Sequence, residues 1–275
     1  MKKEIQVYKS SESLQISSLI SAPIFINSKK NDNSLIIVEN QRTKNEQIIY
    51  NGPPLNLTYD FPVFSILIGN AQKNNCTNNV ISENFLFKAV NKEKRENIRK
   101  EILNSIERLK KANIDLDYFN SNENTTINIK SYLIKELIWD RENKEVHYEI
   151  NRLFLISSMK RLSFELIDLS IFNKLKSKYE KALYLYLETK KFKSQKIISI
   201  NKRDILNRVT SNIKLNKERN RTLLKALESL KRKNYIINYE FYLSSFEEIK
   251  MLKIVKNHNF SLQDLNTKYI QKLAP

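Results

Sequence analysis

The chain contains a degenerate copy of itself, and a duplication of this length points to a fold made of two equivalent units. Residues 62–68 fall over 182–187, and 85–90 over 205–209. Residues 93–111 then fall over 214–232 at a constant offset of 121. This sets Ile102, Leu103, Ile106, Glu107, Leu109, Lys110 and Lys111 on Leu223, Leu224, Leu227, Glu228, Leu230, Lys231 and Arg232. Both copies run in one order: an apolar helix, a short strand-like stretch, a short helix, a longer basic helix and a β-rich hairpin.

In the first copy Phe61, Phe64, Leu67, Ile68 and Ala71 recur at helical spacing, with Pro62 in the first turn, where proline is tolerated. Val80-Ile81 reads as strand, Ser82 as an N-cap ahead of Phe85, Leu86 and Ala89, and Ile98, Ile102, Ile106 and Leu109 mark the longer helix. Alternation over 114–118, 126–129 and 146–150 predicts strands, with turns at 120–125 and 140–144. In the second copy Leu175, Tyr179, Ala182, Leu183, Tyr186 and Leu187 share a helix face, 197–200 reads as strand, and Asn201 caps the short helix. Leu223, Leu224, Leu227 and Leu230 point inward from the longer helix, 235–243 supplies a β wing, and 245–256 reads as a last amphipathic helix. This is the order of a winged helix, so the expected fold class is α+β with two winged helices in tandem.

At 275 residues the chain is long enough for two cores. Residues 1–54 carry Ser-rich and Asn/Lys-rich stretches and read as a partly disordered N-terminal arm with one short strand or helix. Asn51-Gly52-Pro53-Pro54 holds one of only two glycines and reads as a boundary. The expected domains are therefore the arm at 1–54, a first winged helix at 55–160 for interfaces and DNA backbone, and a second at 161–275 as the principal DNA reader. The hinge falls in 151–170.

Forty-eight Lys and Arg against thirty Asp and Glu give a formal charge of +18, which points to a polyanionic partner. An AT-rich coding sequence also inflates Lys, Asn and Ile, so the charge alone does not identify that partner. No apolar run is long enough for a membrane span and the start has no signal-peptide core, so a cytoplasmic protein without membrane attachment is expected. Cys76 stands alone, which excludes an internal disulfide and a cysteine-based zinc site.

Two histidines far apart in sequence, His147 and His258, give little for catalysis. With Gly52 and Gly69 as the only glycines, no phosphate-binding loop of the Walker type can form. Asp115 and Asp117 alternate on a strand, where a polar edge face is a simpler reading than a magnesium site. No enzyme, no cofactor and no metal are expected.

The basic residues gather around the second long helix. Residues 201–235 hold eleven Lys/Arg and three Asp/Glu, and Lys202, Arg203, Arg208, Lys214, Lys217, Arg219, Arg221 and Lys225 are the DNA-binding candidates. Arg221 and Lys225, four residues apart, share one exposed face. In the first copy Lys94, Arg95 and Arg99 occupy the matching place, diluted by glutamates 93, 96, 101 and 107.

The run Phe172-Asn173-Lys174-Leu175-Lys176-Ser177-Lys178-Tyr179-Glu180-Lys181-Ala182-Leu183-Tyr184-Leu185-Tyr186-Leu187 resembles the lead-in and first helix of the second winged helix in plasmid replication initiators of the RepE and TrfA type. Trp139-Asp140-Arg141-Glu142-Asn143-Lys144-Glu145-Val146-His147-Tyr148-Glu149-Ile150-Asn151 looks like the last hairpin of their first domain. The resemblance covers roughly residues 55–250. It implies binding to repeated sites in plasmid-origin double-stranded DNA, opening of adjacent AT-rich DNA, recruitment of a host replication initiator and helicase, and self-repression as a homodimer. It sets the second-domain reading helix on Arg219, Arg221 and Lys225, and the first-domain equivalent on Lys94, Arg95 and Arg99. The alternatives are a tandem winged-helix transcription regulator and a non-enzymatic basic interaction module of a mobile element.

Overall fold

A computed structural model of the protein describes residues 12–16, 19–20, 24–26, 36–43, 46–90, 95–120, 125–155, 164–190, 197–243 and 250–257. They divide between two compact units, Met1–Lys178 and Tyr179–Pro275.

In the first unit α1 (Asp60–Asn74), β6 (Asn78–Ser82), α2 (Glu83–Ala89), α3 (Glu96–Lys111), β9 (Ile134–Asp140) and β10 (Glu145–Ile150) form a winged helix. Its antiparallel sheet has the order β6-β10-β9. In the second unit α5 (Lys178–Glu188), β12 (Ile197–Asn201), α6 (Lys202–Val209), α7 (Asn216–Arg232), β13 (Ile236–Leu243) and β14 (Lys250–Lys256) repeat the plan with the order β12-β14-β13. In each sheet the last strand lies in the middle.

The duplication is carried by the cores. Asn79 and Ile81 of β6 are buried, as are Ile198 and Ile200 of β12, with the residues between them exposed. On α3 the buried residues are Ile102, Ser105, Ile106 and Leu109, and on α7 Leu223, Ala226, Leu227 and Leu230 stand at the same four places beside Ser229. Each leucine so buried contributes roughly 1.5–3 kcal/mol relative to solvent. Asn201 caps α6 through Oδ1, which accepts from the Arg203 N–H at 2.8 Å. Ser82 stands at the N-cap of α2 without a capping bond; the Glu83 N–H instead donates to the Lys144 carbonyl at 2.8 Å.

The first unit adds strands to this plan. β7 (Asn113–Asn120) and β8 (Thr125–Tyr132) extend a sheet of order β3-β4-β7-β8, in which β3 is Ile36–Thr43 and β4 is Glu46–Gly52. β1 (Glu12–Ile16) pairs antiparallel with β11 (Phe164–Asp168), just before α4 (Leu169–Lys174), and β2 (Phe25–Ile26) pairs parallel with β5 (Leu55–Asn56). These additions explain why α1 is buried on nearly every side, Val63, Ser65, Ile66 and Gly69 included, where its sequence shows one stripe. Asp60 at its first turn accepts two bonds from Arg108 of α3, at 2.7 and 2.9 Å, and one from the Asn56 N–H at 2.7 Å.

Four expectations change. Residues 12–52 supply four strands rather than one short element, and Leu19, Ile20 and Ile24 are fully buried. Gly52 ends β4 within the first unit: a Cβ there would stand 2.8 Å from the Ala112 Cα and 2.8 Å from the Tyr50 hydroxyl, so the glycine serves a close approach rather than a boundary. The helix read from Leu175 to Leu187 begins later, as α5 at Lys178, and the buried Leu175 lies in the short segment between it and α4. Finally, 250–256 is strand, because Leu252 and Ile254 must point into the core from the central position of a three-stranded sheet, which period 2 allows.

Candidate nucleic-acid interface

The apolar stripe of α7 fixes what the helix shows to solvent. With Leu223, Ala226, Leu227 and Leu230 turned inward, Lys217, Arg221 and Lys225 are exposed along the opposite side, and Lys214 is exposed in the segment before the helix. Leu224, expected in the stripe, is 41% exposed instead. Glu228 accepts from the Tyr239 hydroxyl of β13 at 2.5 Å, and Lys231 Nζ donates to Asn238 Oδ1 at 3.1 Å. Burial, together with that carboxylate, pushes Tyr239 up to about 12. The C-terminal half of α7 is thus tied to the wing strand, and the N-terminal half carries the exposed cations.

One of the basic side chains braces the unit and another is drawn into it. Arg219 donates through Nη2 to Asn207 Oδ1 at 2.7 Å and through Nε to Thr210 Oγ1 at 3.2 Å, bridging α7 back to the end of α6. Arg208 is half-buried beside Tyr186; burial pulls its guanidinium down to about 9, still protonated at neutral pH. Lys202 is half-buried with Nζ 5.2 Å from the ring centre of Phe241, its pKa lowered by burial and by Lys250. Arg203 is exposed in the first turn of α6.

The matching helix of the first unit is arranged differently. Arg99 donates through Nε to Glu83 at 2.6 Å and through Nη1 to Glu96 at 3.3 Å, and the Glu83 bond raises its pKa. Arg95 is exposed at the N-cap of α3, while Lys92, Glu93 and Lys94 lie outside the described residues, as does His258. Among the described residues no ion pair holds Lys214, Lys217, Arg221 or Lys225. The two long helices therefore match in their buried positions and differ in available charge.

Among the described residues no group of three His, Cys, Asp or Glu side chains is placed to hold a metal ion. Asp115 and Asp117 both accept from Asn128 across the β7–β8 pair, and Asp115 faces Lys130 at 3.3 Å. No helix of the described residues is long and apolar enough to cross a membrane.

No protein-family model and no curated protein match this chain. Solved structures do. A crystal structure of domains 2 and 3 of RctB, as a selenomethionine derivative, has a TM-score of 0.57 at 11% identity over 88% of this chain and 97% of that one. A crystal structure of Pi initiator protein in complex with iteron DNA has a TM-score of 0.55 at 12% identity over 90% of this chain and 98% of that one. The fold is similar to that of both proteins. The resemblance to replication initiators stated from the sequence is therefore borne out, at the level of fold.

Against that fold, β13 and β14 are the wing of the second unit, and sequence reading missed Lys250 and Lys253 on β14 by taking it for a helix. Leu252 and Ile254 alternating with Lys253 and Val255 are the signal that marks it. Asn220, one turn from Lys217 and beside Arg221, is committed to its own helix: its Oδ1 is buried and its Nδ2 donates to the Asn216 carbonyl at 2.9 Å.

Proposed function

We propose that the chain initiates plasmid replication by sequence-specific binding of repeated sites in origin double-stranded DNA. The observation that carries this is the row of exposed cations on the N-terminal half of α7, tied into no ion pair among the described residues, on the third helix of a winged helix. Such a helix enters the major groove with its N-terminal half while the wing follows the backbone. Arg221 is the residue for guanine, whose O6 and N7 accept its two parallel N–H groups. Lys214, Lys217, Lys225 and Arg203 neutralise phosphates, with Lys202, Lys250 and Lys253 toward the wing. Arg219 acts beneath this surface by holding α6 and α7 at their angle, and Arg208 lies half-buried beside Tyr186. In the first unit Arg95 serves backbone contact, and Arg99 orders α2 against α3. The likeness to Pi initiator protein, solved with iteron DNA, supports repeated sites as the target. Opening of adjacent AT-rich DNA, recruitment of a host replication initiator and helicase, and self-repression by a homodimer complete the proposal.

Selection of bound sequences from random duplex tests the reading, followed by chemical probing for single-stranded thymines next to the selected site on supercoiled DNA. Tandem direct repeats with local opening are the expected result. A palindrome without opening makes the chain a transcription regulator. Failure to enrich any sequence, with binding that hardly changes with salt, overturns DNA binding altogether, since release of counterions makes genuine duplex affinity fall steeply as salt rises.

A further inference from the structure

The α7 face holds an apolar side chain that the core does not use. Leu223, Ala226, Leu227 and Leu230 are at most 3% exposed, whereas Leu224 is 41% exposed. A single exposed leucine is ordinary on a protein surface and by itself says nothing. Its place does. Lys217, Asn220, Arg221 and Leu224 follow the spacing i, i+3, i+4 and i+7, which lines one side of a helix, and a helix lying in the major groove reads bases from that set of positions. The first two turns of this stripe carry Lys217 and Arg221, exposed groups suited to phosphate and guanine. At its fourth position stands a side chain with no polar atom.

On the reading that α7 of the second unit lies in the major groove, we propose that Leu224 is a base-contacting residue that selects thymine through its C5-methyl group. Of the four bases, thymine alone presents an apolar group on the major-groove edge. Burying that methyl against Leu224 removes apolar surface of both partners from water, and replacing either one leaves the other facing solvent or a void. A cytosine at the same position sets an amino group against the leucine and leaves that donor without an acceptor. The repeat sharpens the assignment: Leu103, at the matching place on α3, is half-buried, on a helix whose Arg99 is already committed to two glutamates.

The test replaces each thymine of the selected duplex, one at a time, by deoxyuridine, which deletes the methyl and leaves every hydrogen-bonding group in place. Fluorescence anisotropy at fixed salt gives the affinity of the full chain and of Leu224→Ala, whose fold is checked by circular dichroism and thermal melting. For the wild type, one thymine per site should show an affinity loss of about fourfold, the worth of one buried methyl. Leu224→Ala should bind the all-thymine duplex more weakly by a similar factor and be indifferent to deoxyuridine at that one position, while keeping the wild-type response to changed guanines. No methyl-dependent position, or a deoxyuridine penalty that survives in Leu224→Ala, overturns the inference while leaving DNA reading by α7 intact. If the wild type selects no duplex, it is the underlying function that fails.

Discussion

At the scale of single residues, the second unit separates side chains that hold its shape from side chains that face outward, and this makes binding testable apart from folding. Arg221→Ala combined with Lys225→Ala removes two exposed cations and no core contact. The double variant should keep its circular dichroism and melting temperature and lose specific duplex binding, with each lost contact costing about 1–3 kcal/mol. Anisotropy titrations with unchanged affinity overturn the assignment. Arg108 shows the opposite behaviour. Its side chain is 11% exposed and its bidentate partner Asp60 is fully buried, so Arg108→Met leaves a carboxylate without its cation in the core. A loss of about 3–5 kcal/mol in urea unfolding of the first unit is expected, and Asp60→Asn in the same background should recover part of it, because it removes the stranded charge. Recovery of nothing means that the pair is not what Arg108 contributes.

Among elements, β8 is where a second copy of the chain is expected to meet this one. Among the described residues it pairs only with β7, which leaves its other edge open to a further strand, and Ile129 sits on it opposite Leu116. Ile129→Lys sets a charge on that edge. Multi-angle light scattering should show a dimer for the wild type at high concentration and a monomer for the variant, and equal masses across the range, with both folded, remove β8 as the contact. The sequence showed the helices of both units because Leu and Ile recur there at helical spacing over several turns. It concealed β14, whose run of Lys, Met, Leu, Ile and Val satisfies a helical stripe and a two-residue alternation equally well until the neighbouring strands are known. It concealed β1 for a different reason. Polar Ser13 and Gln15 lie fully buried, with Ser13 bonded to Ser65 of α1, and no hydropathy pattern identifies a strand whose buried face is polar. The site was legible as a region and not as roles: local charge located α7, whereas the bracing of Arg219 by Asn207 and Thr210 exists only once α6 has folded back against it.

For the molecule as a whole, the division into units sets where the chain can be cut. Phe172 is fully buried, with its ring 4.8 Å from that of Phe61, so it belongs to the first unit's core although it precedes the second by a few residues. A fragment of residues 176–275 should be soluble, melt cooperatively and bind the selected duplex weakly with a steep salt slope. One of residues 170–275 exposes Phe172 and should aggregate more readily. An unfolded 176–275 fragment argues that the second unit does not stand alone. The pairing of β1 with β11 has a consequence in time. During synthesis the strand at residues 12–16 leaves the ribosome long before its partner at 164–168 exists, so the first unit waits for nearly its whole length before it can close. Through that interval the edge of β1 and the apolar flank of α1 are open to any other nascent chain. A slow stretch of translation after residue 168 favours closure within one chain, whereas one placed before it prolongs the exposure and favours exchange of β1 between neighbours on the same messenger.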